Sequence, residues 1–543
     1  MKKNFSLFII ALCGVLTFAQ NEASFWYFGQ NAGVQFNADT GTVTAVTDGQ
    51  LSTLEGCTSI SDTDGNLLFY SDGSTVWNRL HQVMFNGTGL LGDESSTSSG
   101  LIVPKPQDPD FYYIFTVDEP HHFNSSDPQF AAQVDGDGVN DGLTYSRVNI
   151  LDAGGLGAVD ATEKNIPLIT YDVSIPIHEE YKCSEKITAV RADDCSSFWV
   201  ITHFADSFYA FKVDTNGVST IPVVSTVGPN VPVEGYRRNA LGYLKASPDG
   251  TKLVSANFGE STITAQDAGG SIYLFDFDND TGIVSNAVEL YSAQNNDSPY
   301  GVEFSAENRK VYATIGLGVG GNGASQLLQW DLESTNIPAS LQIIHTSSTI
   351  SAGALQLGID RRIYRAQFNF QDASSGRFLG VINNPEADGL ATDYDEQGLL
   401  LDINGGSQNT SRIGLPPFIQ SLFNSQVDII RNGESTTELL LCTGDSYMLR
   451  ADDIPGADYV WSVDGTPLAE TSFELEVDSS GFYEVFIEPN NGECPIEGSA
   501  IVGVFEIPVA NPLTDIEVCD DDNDGVFSFD FTSKDTEALD GQD

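Results

Sequence analysis

One short pattern recurs along this chain and constrains its fold more than any other feature. It is a polar turn built from Asp, Asn and Gly, followed at once by a β-branched and aromatic run. Six copies are visible. Ser61-Asp62-Thr63-Asp64-Gly65 precedes Leu67-Leu68-Phe69-Tyr70, Gln107-Asp108-Pro109-Asp110 precedes Phe111-Tyr112-Tyr113-Ile114-Phe115, and Ala192-Asp193-Asp194-Cys195 precedes Phe198-Trp199-Val200-Ile201. Ser247-Pro248-Asp249-Gly250 precedes Lys252-Leu253-Val254, Ser305-Ala306-Glu307-Asn308 precedes Lys310-Val311-Tyr312, and Gly358-Ile359-Asp360-Arg361 precedes Ile363-Tyr364. Each reads as a hairpin turn between two strands. In several copies a second hairpin follows, as in Tyr209 to Gly217, Ile272 to Gly282 and Leu327 to Asp331. Four-stranded units recurring roughly every 45 to 60 residues are the signature of β-propeller blades.

Near the start, Phe25-Trp26-Tyr27-Phe28 and Val34-Gln35-Phe36-Asn37 read as the second half of a unit whose first half is missing. Gly414-Leu415-Pro416-Pro417-Phe418-Ile419 is expected to supply it, closing the ring and removing exposed sheet edges. Six whole units and one shared unit predict seven blades over residues 20–425. An irregular array of β-sandwiches is the competing architecture. The Ser247-Pro248-Asp249-Gly250 turn and its strand resemble WD-type propeller repeats, without their Gly-His and Trp-Asp dipeptides; that resemblance implies fold and is silent on function.

After residue 427 the texture becomes a single β module, expected to run to 506. Cys442, Trp461 and Cys494 follow in the order Cys, Trp, Cys, with Tyr459-Val460-Trp461-Ser462-Val463 alternating as a central strand. This resembles an immunoglobulin-like or polycystic-kidney-disease (PKD)-like sandwich, which implies a Cys442–Cys494 bridge under the Trp; two free thiols are the alternative. Cys183 and Cys195 are expected to pair across a short loop. A further acidic unit opens at 508 and runs to Asp543, before a domain could be completed, so more sequence is expected beyond it.

Met1-Lys2-Lys3-Asn4 and the apolar run Phe5 to Phe18 read as a signal peptide cut after Ala19; acylation at Cys13 is the other reading. No later run is long and apolar enough to span a bilayer. The mature chain is therefore expected to be secreted or held at the outer cell surface, with no transmembrane segment, in a compartment that permits disulfides.

The order of leader, propeller, Cys/Trp/Cys sandwich and the acidic run Cys519-Asp520-Asp521-Asp522-Asn523-Asp524-Gly525 resembles large exported proteins of gliding Bacteroidetes. Those carry a type B sorting domain, also called the gliding-motility-associated C-terminal domain. The resemblance implies export through the type IX secretion machinery.

Charge narrows the partners. The 543 residues hold 24 Lys+Arg against 77 Asp+Glu, a formal net charge of −53, which excludes nucleic acid and repels anionic surfaces. Calcium is the cofactor these acids suggest. Asp520, Asp522 and Asp524 alternate around Gly525 as calcium loops do, although position twelve is Phe531 and no EF-hand results. A dockerin-like or thrombospondin-type loop and a solvated acidic turn both stay open. Asp135, Asp137 and Asp141, in an insertion between the second and third turns, form a weaker set, and Asp276, Asp278 and Asp280 before Gly282 form a third, for which an ordinary hairpin turn is the favoured reading. His121-His122 and His178 beside Glu179-Glu180 lack zinc-ligand spacing. No nucleophile elbow, P-loop or dinucleotide fingerprint is present, so no catalytic residue is assigned.

The first functional reading is therefore a non-enzymatic adhesion scaffold that contacts extracellular polysaccharide or a surface protein. The second is a polysaccharide-degrading propeller hydrolase or lyase with the sandwich as accessory. A third, part of the motility or secretion machinery itself, is weaker. A converging cluster of carboxylate, His or Tyr side chains at one end of the channel separates the first two.

Overall fold

The computed structural model describes residues 20–37, 42–120, 140–233, 236–259, 270–293, 297–317, 323–372, 375–406, 408–423, 427–432, 438–490 and 494–506, and scattered residues from 511 to 538. The protein is all-β and divides into two compact units after Ser425.

The first unit is built of antiparallel sheets that follow one another as propeller-like blades. A three-stranded sheet (Phe25–Phe28, Ala32–Asn37, Thr42–Val46) is followed by two longer arcs, one opening at Thr58–Ser61 and one at Gly100–Pro104. A parallel contact of Phe85 with Ala158 joins these two arcs into one nine-stranded sheet. A five-stranded sheet opens at Thr188–Arg191, and three four-stranded sheets open at Leu244–Ala246, Ser298–Phe304 and Leu355–Leu357. The second strands, such as Phe198–Phe204 and Lys310–Gly316, are buried along their whole length. Their unbroken β-branched and aromatic runs are what a strand covered on both faces requires.

All six sequence turns join the first strand of a sheet to its second. In each, one residue takes positive φ, as Gly65 and Gly250 do at +80° and +74°, and the N–H of Gly250 donates to the Ser247 carbonyl at 2.9 Å. Successive sheets are stitched near the starts of their first strands. Tyr243 N–H donates to Tyr300 O (2.9 Å), Ala354 N–H to Ile413 O (2.7 Å), and Ile413 N–H to Leu54 O (3.1 Å).

That series corrects the expected closure. Gln30, at the end of the Phe25–Phe28 strand, exchanges both backbone hydrogen bonds with Thr410 (2.9 and 3.1 Å). The backbone hydrogen bonds to the end of the first sheet's opening strand are therefore made around 410 and not by Gly414–Ile419. Pro416 and Pro417 explain the displacement, because neither has an N–H to donate to a ladder.

The second unit has a five-stranded sheet, in the order Glu438–Cys442, Ile496–Phe505, Gly481–Glu488, Asp458–Val463, Thr466–Pro467, and a two-stranded one, Tyr447–Arg450 with Glu474–Val477. Trp461 is fully buried between them and its Nε1 donates to Ser472 O at 2.7 Å. The expected Cys442–Cys494 bridge is absent, and Cys442 is an exposed free thiol. It pairs with Phe505 at the end of the Ile496–Phe505 strand, whereas Cys494 precedes that strand's start, about 30 Å away at ~3.3 Å per residue. The Cys183–Cys195 bridge is absent as well. Cys183 is a buried free thiol, and the Thr188–Arg191 strand carries the chain away from it before the turn that holds Cys195.

Candidate active site

The stitched strand starts converge on a buried polar cluster. Thr97 stands at its centre. Its hydroxyl lies 2.7 Å from Glu185 Oε2 and 3.2 Å from Glu55 Oε2, and its N–H donates to Glu185 Oε2 at 2.8 Å. Gly242 N–H donates to the same hydroxyl at 3.3 Å. The three side chains come from the two arcs of the nine-stranded sheet and from the five-stranded sheet, and each sits just ahead of the strand that opens its arc or sheet. A threonine hydroxyl has one hydrogen, so both carboxyl contacts are satisfied together only when one carboxyl carries a proton.

Burial favours the proton on Glu185. The residue is fully buried and Glu55 is 6% exposed. Burial drives the Glu185 carboxyl well above the usual carboxylate range, and the nearby Glu55 and Glu119 add to the shift, against the pull of the Thr97 hydrogen bonds. Two carboxyl groups with unequal environments are how a site keeps one acid and one base near neutral pH.

Other groups complete the cluster. Lys186 Nζ donates to the carbonyls of Ala240 and Leu241, each at 2.8 Å; burial pushes its ammonium down to about 7, although Glu185 acts the other way. His203 is pushed down to about 3 by burial and by Lys186. Tyr300 is raised by burial first and by Glu55 next. Glu185 Oε1, Ser96 Oγ, Ser98 Oγ and Thr53 Oγ1 are enclosed with no hydrogen-bond partner among the described residues, and such groups are suited to engage a polar ligand.

None of these residues was singled out from the sequence. The signal was faint: Glu185 stands just ahead of Thr188-Ala189-Val190, where a buried acid needs a reason, while the polar run Thr58-Ser59-Ile60-Ser61 gives no mark of Glu55. Of the calcium candidates, Asp135, Asp137, Asp520 and Asp522 lie outside the described residues, as do His121 and His122. Asp141 N–H donates to Asp118 Oδ2 at 2.6 Å, and exposed Asp524 accepts from Val526 N–H at 2.7 Å. Asp276 pairs with Lys252 at 3.0 Å and Asp278 caps its turn through the N–H groups of Asp280 and Thr281, so that run is a hairpin turn. His178 stacks edge-on to Phe204 at 5.1 Å. Among the described residues no group of three or more His, Cys, Asp or Glu is placed to hold a metal.

No family model matches the chain, and no curated protein matches it in sequence. Solved structures do resemble it. A candidate 6-phosphogluconolactonase from Bacteroides uniformis is 12% identical, covering 70% of this chain and 96% of its own, with a TM-score of 0.39. An oligogalacturonate lyase from Vibrio parahaemolyticus is 13% identical (68% and 85% covered, TM-score 0.32), and a GH43 glycoside hydrolase is 8% identical (74% and 90% covered, TM-score 0.32). The chain's own buried carboxylate cluster is the feature that an adhesion scaffold does not need. The expectation of a non-enzymatic adhesion protein is corrected accordingly.

Proposed function

We propose that the first unit is a seven-bladed, WD-like β-propeller followed by an immunoglobulin- or PKD-like sandwich, and that the chain is an extracellular enzyme that hydrolyses polysaccharide at the Glu55–Glu185 pair. The observation that carries this reading is the convergence of both carboxyl groups on the Thr97 hydroxyl. Glu185 supplies the proton to the glycosidic oxygen as the C–O bond breaks. Both carboxyl groups reach the same hydroxyl, too close together to leave room for a water, so Glu55 bonds to the anomeric carbon as the leaving oxygen departs, and a water that gives its proton to Glu185 then displaces Glu55. Atoms and charge balance, and the second step returns the proton to Glu185.

The net charge of −53 separates hydrolysis from the lyase alternative. Elimination needs a sugar carboxylate beside the proton that leaves, and a polyanion is what this surface repels. Neutral polymers meet no such barrier.

The test is reducing-end release by the purified chain from xylan, arabinan, mannan and β-glucan, beside a polyuronate. Hydrolysis of a neutral polymer is expected, and Glu55→Gln and Glu185→Gln should each slow it by about 10²- to 10⁴-fold. Unaltered rates in both variants, or no new ends from any polymer, sink the proposal; an unsaturated product from the polyuronate alone moves it to elimination.

A further inference from the structure

Buried cations in this fold settle their charge in different ways. Lys245 pairs with Glu303 at 3.1 Å, and Lys186, held by two carbonyls, can shed its proton because burial pushes it down to about 7. Arg365 has neither course. It ends the Ile363–Arg365 strand in the four-stranded sheet that opens at Leu355–Leu357, and it is fully buried. Its guanidinium meets neutral oxygens: Nη1 donates to Tyr394 Oη at 3.3 Å, and Nη2 donates to Ser325 Oγ and, at 3.4 Å, to Ser351 O. A guanidinium does not lose its proton, and a buried charge left without a partner is among the most costly groups a fold can hold.

No carboxylate among the described residues reaches Arg365. Glu396, on the strand that Tyr394 opens, turns instead to His345 at 3.3 Å. The stretches 318–322 and 373–374, outside the described residues, read Gly-Val-Gly-Gly-Asn and Ala-Ser, so neither can bring an acid. Two donors are left over. Arg365 Nε is enclosed with no hydrogen-bond partner, and with Nη2 it forms the edge of the guanidinium that grips an anion. Ser351, 2% exposed, accepts from Gly323 N–H at 3.0 Å through Oγ, whose own hydrogen has no acceptor among the described residues. Gly323 itself is part-exposed at φ +90°, and a Cβ built on it would meet only Asn369 Oδ1, at 3.8 Å. Open space therefore adjoins the residue that is bonded to Ser351 and stands two before Ser325, the two residues that Nη2 holds.

We infer that Arg365 and Ser351 bind a small monovalent anion of the halide class, which supplies the countercharge and ties this sheet to the Ser325–Asp331 strand of its neighbour. One guanidinium balances one negative charge, and two free donors suit a single spherical ion better than the four oxygens of a phosphate. The site lies in a different sheet from Glu55 and Glu185 and does not depend on the hydrolytic reading.

The experiment is thermal unfolding of the full purified chain at a fixed total salt of about 0.15 M, so that screening stays constant, with chloride exchanged stepwise for bulky gluconate. The midpoint should rise with chloride by at least about 2 °C and then level off, as for a ligand bound by the folded state alone. Arg365→Met should lose that dependence, and crystals of the full chain grown with bromide should show an anomalous peak beside Arg365 Nε. A midpoint indifferent to the exchange, a variant that responds as the parent does, or bromide at surface positions only overturns the site. Where Arg365→Met does not fold, the parent's chloride response and the bromide position decide it between them.

Discussion

Glu22 shows what a single enclosed carboxyl does to this fold. Its Oε2 has no partner among the described residues, and burial lifts it from the ordinary carboxylate value to about 7, with Arg191 pulling back and Asp62 adding to the rise. A carboxyl whose folded value is raised binds its proton more tightly in the folded state, so stability falls as pH rises from about 4.5 towards 7 and is flat above that. A shift of this size corresponds to about 3 kcal/mol. Glu22→Gln cannot ionise. The variant should match the parent near pH 4 and exceed it by up to about that amount at pH 7.5, read as urea midpoints; a constant difference between the two pH values would refute the assignment. At this scale the sequence was least informative. Glu55, Thr97 and Glu185 are separated by 42 and 88 residues, and no spacing rule links side chains that meet only when successive arcs and sheets are stitched together.

Elements were far more legible, because each hairpin turn carries its own chemistry. Asp62 Oδ1 accepts from the N–H groups of Asp64 and Asn66 (3.1 and 2.8 Å), and that local bond can be foreseen wherever Asp precedes Gly and a β-branched run. The closing segment could not be read the same way: apolar content suggested a strand at Gly414–Ile419, while the prolines cannot donate to a ladder and the segment is buried against Tyr243 and Trp26 instead. Contacts between first strands were equally hidden. Lys245 and Glu303 form a fully buried ion pair at 3.1 Å, Lys245 Nζ also donates to Gln356 Oε1, and Glu303 accepts from Phe304 and Leu357 N–H at 3.0 and 3.1 Å. Three neighbouring sheets are tied by these bonds. Lys245→Met strands an uncompensated buried carboxylate and should lower unfolding stability by about 3–5 kcal/mol. The double variant Lys245→Met with Glu303→Leu removes both charges and should recover most of that loss, so equal losses in the single and double variants would show that packing, and not charge, holds these strands.

At the scale of the whole molecule, self-repulsion outweighs every other charge effect. The acids outnumber the bases by 77 to 24, and the bases are already largely engaged within the fold: Arg147 on Asp160 and Glu163, Lys310 on Asp331 and Asp388, Arg309 on Glu307 and Glu333. What remains is a surplus of like charge that no internal cation balances. Added salt weakens attraction and repulsion alike, but the long-range repulsion is screened within a Debye length of about 10 Å at 0.1 M, while close and partly buried pairs are screened much less. Raising sodium chloride from 10 to 500 mM, an order-of-magnitude span chosen to cross that length, should therefore raise the melting temperature by several degrees. A fall would mean that exposed ion pairs outweigh the net charge. The same field acts on substrates. Turnover of a neutral polymer should change by less than about twofold over that range, whereas any polyuronate that binds should do so more tightly as salt rises, the reverse of the slope seen when opposite charges meet. Binding isotherms at the two salt concentrations decide it: a polyuronate that binds best at low salt would require a cationic face that the ion pairs among the described residues leave little charge to build.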